Sequence, residues 1–288
     1  MEYVINLGIL FLIYAILGLS LNLVVGYTGL LSTAHAAFYG IGAYATAILV
    51  ATHNVNFFPS MLAGMAASGI AAFLIGMILS RFAGDYYALV SLGFNVIVYS
   101  VLLNWQGLTR GPLGIPGISR PSLFGASFSS NASFLVLAFI FFLAAYLISA
   151  FIVRSSFGRV LKAVREDETA IQVFGYNTVL YKLAIFVISA LLASIAGSLY
   201  AAYITFIDPS SFTVMESVFI LAIIILGGLS NLRGSVLGAA IMVLLPEALR
   251  FAGFPSSIAA ELRQVVYGLC LILLMLFRPQ GILGEYRL

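Results

Sequence analysis

The chain has 288 residues, of which 62% are hydrophobic and only 8% charged, with 13 Lys and Arg against 10 Asp and Glu and a formal net charge of +3. Ordinary soluble domains carry roughly 25% charged residues, so these residues cannot build a water-facing surface of this size. With a mean hydropathy of +1.14, the composition excludes a disordered chain, a nucleic-acid-binding fold and a disulfide scaffold, and makes lipid the solvent.

From Tyr3 to Ser80 there is no Asp, Glu, Lys or Arg. One crossing of the ~30 Å hydrocarbon core takes ~20 apolar residues, so three crossings fit into that stretch. Further charge-free runs occupy 121–153, 183–207, 217–232, 234–246 and 264–277. They are too continuous for the alternating ~10-residue strands of a membrane barrel. Helices, which satisfy their own backbone, remain. The expected fold is therefore all-α, a polytopic membrane helical bundle of eight to ten transmembrane helices, some short or discontinuous, forming one domain over 1–288. The expected spans are 3–25, 31–51, 57–79, 86–105, 132–153, 183–206, 213–228, 234–249 and 263–277. The acidic start (Met1, Glu2) and the spanning length that follows read as a retained first helix rather than a signal peptide. Cys270 stands alone in an apolar run, so no intrachain disulfide is expected.

Segment 154–182 carries Arg154, Arg159, Lys162, Arg165 and Lys182. Basic residues accumulate in cytoplasmic loops, so this segment is placed inside the cell. Alternation then puts Arg81, Arg233 and the tail on the same side. Arg110, Arg120, Arg250, Arg263 and the N-terminus lie outside. Segment 106–131 becomes the longest outer loop. Its first half is dense in glycine and proline, which forbids a long helix; it is either a plain connector, or an ordered cap or docking surface for an external partner. Trp105 stands at its entrance, where an indole suits the headgroup region.

Little catalytic chemistry fits. The histidines are His35 and His53, neither an HExxH helix nor a phosphate-cradling GxxxxGK[ST] loop occurs, and no zinc set can be assembled. A charge at mid-membrane costs ~3 kcal/mol or more and marks an ion path. Asp85, Asp208, Glu216 and Glu247 fall near the ends of the expected spans, which argues against a proton-coupled carrier. Two glycine-rich stretches, Gly26 to Tyr44 and Gly227 to Ala239, suit either close helix packing or discontinuous helices whose exposed amides and carbonyls meet a polar solute.

The inner segment from Gly158 reads GRVLKAVREDETAIQVFGYN. Val160, Val164, Ile171 and Phe174 form a helical stripe, broken at Arg165 through Glu168, so two short helices with a turn are expected. They would be either a surface helix lying on the membrane or a docking element with apolar anchors.

Taken together, several motifs in fixed order carry a resemblance: LNLVVGYTGLLS and FYGIGAY near the start, GDYYALVSLGFN at 84–95, LTRGPLGIPGI at 108–118, the inner segment just quoted, YKLAIFVISALLASIAGSLYA at 181–201, DPSSFT at 208–213, GGLSNLRGSVLGA at 227–239, LLPEALR at 244–250 and LFRPQGILG at 276–284. Over nearly its whole length the chain resembles the permease subunits of branched-chain amino-acid ABC importers, of the LivM type. The resemblance implies a multi-pass protein of a prokaryotic cell (inner) membrane that is not itself an enzyme and holds no cofactor or metal. It implies two cytoplasmic ABC ATPase subunits, a second homologous permease, an extracytoplasmic solute-binding protein and a neutral amino-acid substrate. The family's coupling loop has Glu-x-Ala-Ala followed by a glycine. Glu168, Ala170 and Gly175 match, Ile171 replaces the second alanine, and Arg165, Glu166 and Asp167 flank the match. Thr33-Ala34 stands where the family commonly has Leu-Gly. A zwitterion carries no net charge, so a path of helix ends, hydroxyls and small residues can pass it. Candidates for that path are Ser32, Thr33, His35, Asn95 and Ser230. The competing reading is a stand-alone secondary carrier or channel for a small polar solute.

Overall fold

The computed structural model describes residues 2–82, 84–123, 126–251, 268, 269, 272, 276 and 280–284. Among the described residues, six helices are long and apolar enough to cross a membrane. They are α1 (Glu2–Thr28), α2 (His35–His53), α3 (Phe57–Leu79), α4 (Asp85–Asn104), then after the short α5 (Gln106–Thr109) α6 (Asn131–Arg154), and, past α7 (Ser156–Glu166) and α8 (Glu168–Val173), α9 (Thr178–Ile204). The expected spans 213–228 and 234–249 appear as α10 (Val214–Gly227) and α11 (Leu232–Phe251), a pair bent by 120° at a short break. The expected span 263–277 falls largely outside the described residues, as do Cys270, Arg263, Arg278 and Arg287.

The helices start where polar caps stop the preceding coil. Asn56, Ser130, Ser155, Asp167 and Asn177 each accept an amide N–H from the first turn that follows. Such a cap contributes about 1 kcal/mol. Inside the membrane the pattern changes, because helices there are apolar on every side and packing decides their position. α1, α2 and α9 form the buried centre, while α3, α4 and α6 turn large apolar side chains such as Ile70, Ile97 and Ile140 to the surroundings. α2 and α9 touch backbone to backbone. A Cβ on Gly197 would overlap the Tyr39 carbonyl, and one on Gly42 would overlap Ser194.

The two ends of the bundle are built differently. At one end, β1 (Ile115–Pro116) reaches over to β4 (Phe206–Ile207), with Ile115 opposite Ile207, while β2 (Ser122–Leu123) and β3 (Ala126–Ser127) form a small hairpin. Asn56 donates to the Ser122 carbonyl at 2.8 Å and Asn131 to Asn6 at 3.0 Å. The described parts of the 106–131 loop thus pair with β4 and bond to the start of α3 at this end of the bundle. The other end gathers the turn after α1, the α7–α8 elbow, the α10–α11 break and residues 280–284. Leu283 N–H donates to the Gly227 carbonyl there at 3.0 Å. Successive spans alternate between these ends, as expected.

Candidate functional site

The first polar cluster lies inside the bundle. α1 ends at Thr28, and residues 29–34 run back as non-helical chain before α2 begins at His35. The Thr33 amide donates to Ser91 Oγ at 3.0 Å, and its carbonyl accepts from Asn95 Nδ2 at 3.0 Å. Asn95 Nδ2 also donates to Ser217 Oγ at 2.8 Å, and that same oxygen accepts the Ala36 amide at 3.0 Å. The start of α2, the middle of α4 and the first turn of α10 therefore meet at one hydroxyl. Ser32, Thr33, His35 and Asn95 are all buried here, so four of the five path candidates belong to this cluster.

The hydrogen-bond network fixes two of its members. Ser189 Oγ donates to the Ser20 carbonyl at 2.5 Å, which uses its one proton, so its 2.7 Å contact with His35 Nε2 must be accepted from the ring. His35 then carries its proton on Nε2, and among the described residues Nδ1 has no hydrogen-bond partner. By the same logic the Thr33 carbonyl holds the Asn95 amide nitrogen, and Asn95 Oδ1 has no partner among the described residues. Leaving a buried acceptor unpaired costs about 1–3 kcal/mol, so each is suited to a solute or water that donates.

Sequence reading missed a carboxylate beside this cluster. Glu216 accepts from the Tyr14 hydroxyl at 2.8 Å, and Tyr14 lies halfway along α1. The charge-free run beginning at 217 made Glu216 look like the edge of a span. It is deep because the chain is already well inside the bundle when α10 starts. Ser217, Ser189 and Ser91 carry no distinguishing mark in the sequence. Ser20 and Asn22, polar residues in the middle of an apolar helix, were the available signal.

Ser230, the fifth candidate, lies elsewhere, in the break between α10 and α11. Its backbone has φ 60. Its amide donates to Asn22 Oδ1 at 3.1 Å, and its hydroxyl donates to the Gly26 carbonyl. Asn22 Nδ2 in turn donates to Ser235 Oγ at 2.6 Å and to the Asn231 carbonyl at 3.1 Å. Arg165 arrives from α7 and donates to the Gly26 carbonyl and, at 3.1 Å, to Ser230 Oγ.

The α7–α8 elbow is the third region, and it forms the two short helices expected. Asp167 sits between them and accepts from Thr169 Oγ1 at 2.6 Å, from the Ala170 amide at 3.0 Å and from the Thr169 amide at 2.9 Å. The Thr169 hydroxyl first, then these amides, hold its carboxyl below the usual aspartate value. A lowered pKa means the cap is intact above the ordinary aspartate range and is lost as pH falls through the folded value. Glu168 turns back toward the bundle, pairing with Lys182 Nζ at 2.7 Å and accepting from Thr178 Oγ1 at 2.9 Å. Glu166 points outward, Ala170 is half-buried, and Gly175 closes α8 in the left-handed region at φ 86, which a glycine adopts without strain. The apolar stripe divides: Val164 is buried against the bundle, whereas Phe174 is 77% exposed beside Val173 at 86%.

Residues 3–275 match the protein family described as "Branched-chain amino acid transport system / permease component". The chain is 38% identical to the "High-affinity branched-chain amino acid transport system permease protein LivM" of Escherichia coli (strain K12), over 98% of this chain and 70% of the relative. It is 36% identical to the LivM protein of Salmonella typhimurium over the same shares. It is 29% identical to the LivH permease protein of Salmonella typhimurium, over 94% of this chain and 91% of the relative. No solved structure matches. An interior polar cluster on broken helices and an elbow with an apolar tip are joined here by sequence identity along nearly the whole chain, and the chain belongs to the branched-chain amino-acid transport permease family.

Proposed function

We propose that this chain is the membrane-spanning permease subunit of an ATP-driven importer for branched-chain or other neutral amino acids. It works by alternating access, with the energy supplied by two cytoplasmic ABC ATPase subunits. A second homologous permease completes the pathway, and an extracytoplasmic binding protein delivers the solute to the 106–131 cap. The observation that carries the reading is the α8 tip, where Val173 and Phe174 project from a capped, well-anchored pair of short helices. Two large apolar side chains held outward at the end of α8 have the form of a helix-in-groove contact.

The α1–α2 break is the proposed passage, and its unpaired acceptors His35 Nδ1 and Asn95 Oδ1 suit the ammonium group of a zwitterion. The elbow end faces the cytoplasm in this reading, with the N-terminus outside and 280–284 inside. Single cysteines at Leu113→Cys, on the cap, and at Thr169→Cys, on the elbow, then react with an impermeant thiol reagent from outside and inside respectively. The opposite pattern overturns the orientation.

One observation favours a stand-alone carrier instead, and it is the deep carboxylate of Glu216, since such groups mark proton paths. Reconstitution separates the two readings. The purified chain in liposomes is expected to move no labelled leucine under a pH gradient, and uptake is expected only when ATPase subunits and ATP are present. Gradient-driven uptake by the chain alone would defeat the importer reading.

A further inference from the structure

The inner elbow is tied to the bundle by more than its apolar face. α7 buries Leu161 and Val164, and its Lys162 ammonium stands 5.6 Å from the centre of the Tyr27 ring. Arg165, in the last turn of α7, continues inward. Its stem passes close to Gly29, where an added Cβ would lie 3.1 Å from Arg165 Cγ. Its guanidinium then meets the Gly26 carbonyl and Ser230 Oγ. The Gly26 carbonyl belongs to the last turn of α1, where helix carbonyls have no intrahelical partner and a cation is favoured. Gly26 can hold this position because the Ser230 amide and Asn22 crowd the place where its Cβ would be.

One charged side chain therefore touches three elements at once: the elbow, the end of α1 and the break between α10 and α11. Ser230 at that break is a non-glycine residue in the left-handed region, a conformation that persists only where its surroundings impose it. Its restraints are those described above: the bond to Asn22, the bond to the Gly26 carbonyl and the bond from Arg165. Removing the Arg165 contact loosens the hold on the bend between α10 and α11. The opposite end of α10 carries Ser217, the hydroxyl shared by Asn95 and the start of α2.

We infer that Arg165 is a positioning residue that transmits movement of the α7–α8 elbow to the α10–α11 bend, through the Gly26 carbonyl and Ser230, rather than a contact to the ATPase. The inference rests on the coupling role proposed for the elbow, and it separates two jobs within that segment. Val173 and Phe174 face outward and are gripped, while Arg165 faces inward and pulls on the bend. A serine hydroxyl and a carbonyl at a helix end receive the guanidinium, and a lysine could satisfy only part of that arrangement.

The test uses the complete importer in liposomes, with its partner permease, ATPase subunits and binding protein. The variants are Arg165→Ala, Arg165→Lys, Ser230→Ala and the Arg165→Ala/Ser230→Ala double. Three quantities are read: ATPase subunits retained on purification, ATP hydrolysis, and uptake of labelled leucine, isoleucine or valine per ATP. Arg165→Ala is expected to keep its ATPase subunits and its hydrolysis while uptake per ATP falls at least tenfold. Arg165→Lys and Ser230→Ala are expected to fall about threefold, and the double variant no further than Arg165→Ala alone. Loss of ATPase subunits from Arg165→Ala with normal uptake in Ser230→Ala would overturn the inference, as would normal uptake per ATP in Arg165→Ala. Where Arg165→Ala fails to assemble, the two milder variants decide, and normal coupling in both overturns it. Leucine uptake by the unmutated complex without ATP would instead overturn the importer reading itself.

Discussion

Among the described residues, the glycine-rich stretches 29–34 and 228–231 both interrupt helices, and the two interruptions have opposite surroundings. Residues 29–34 turn back into the bundle, where Ser91 and Asn95 meet the Thr33 backbone. The 228–231 break stays at one end, where Asn22, Arg165 and the 280–284 segment surround it. Beside the first break, His35 Nδ1 and Asn95 Oδ1 are buried with no partner among the described residues. The second is densely hydrogen-bonded and linked to a cation on the elbow. On the proposed reading, the same sequence device supplies both a place for a polar solute and a joint that receives a movement. What distinguishes them is which helices arrive alongside, not the glycines themselves.

If the joint is worked from outside the membrane, the largest effect should come from the tip that is gripped. Val173→Asp/Phe174→Asp replaces two apolar anchors worth about 2 kcal/mol each when buried, and a tenfold change in affinity is 1.4 kcal/mol. Binding of ATPase subunits should weaken by roughly a thousandfold, measured by co-purification and by ATP-dependent uptake, with insertion of the chain unchanged. Retention of the subunits would show that the elbow is not the grip.

A smaller effect is expected at the inner break. Asn95→Ala removes the donor to the Thr33 carbonyl and to Ser217, leaving the buried carbonyl unpaired at a cost of about 1–3 kcal/mol. Uptake should drop about tenfold while the ATPase subunits remain attached. Loss of assembly with normal transport per assembled complex would place Asn95 in the scaffold alone.

The smallest effect concerns how firmly α8 is held. Lys182→Met breaks the pair with Glu168. Loss of one partner of a buried pair costs about 3–5 kcal/mol, but Glu168 is a quarter exposed and keeps Thr178. About 1–2 kcal/mol is therefore expected, after discounting for solvent screening. Hydrogen exchange over 168–173 should rise several-fold, with the rest of the bundle unaffected.

Much of this architecture was legible in the sequence because lipid enforces it. Six of the nine expected spans stand as long single helices among the described residues, and the two helices of the elbow follow from the apolar stripe broken at Arg165 to Glu168. The glycine stretches marked both breaks. Depth was the illegible quantity. Glu216 begins a charge-free run and so looked like a boundary, yet it meets Tyr14 halfway along α1. Direction was equally hidden. Arg165 and Glu168 belong to a basic loop by composition, and nothing in their spacing says that both turn inward while Val173 and Phe174 turn out. Charge in the sequence reports which side of the membrane a loop occupies, whereas only packing decides which partner each charge meets.

The central claim is that the ATPase subunits hold the outward tip of α8. It is tested most directly by placing a photo-crosslinking amino acid at position 174 in the complete importer, with position 139 on the lipid-facing side of α6 as the comparison. The account predicts crosslinks from 174 to an ATPase subunit, and crosslinks from 139 to lipid or to the partner permease only. Crosslinks from 174 to lipid, or to the extracytoplasmic binding protein, would contradict it.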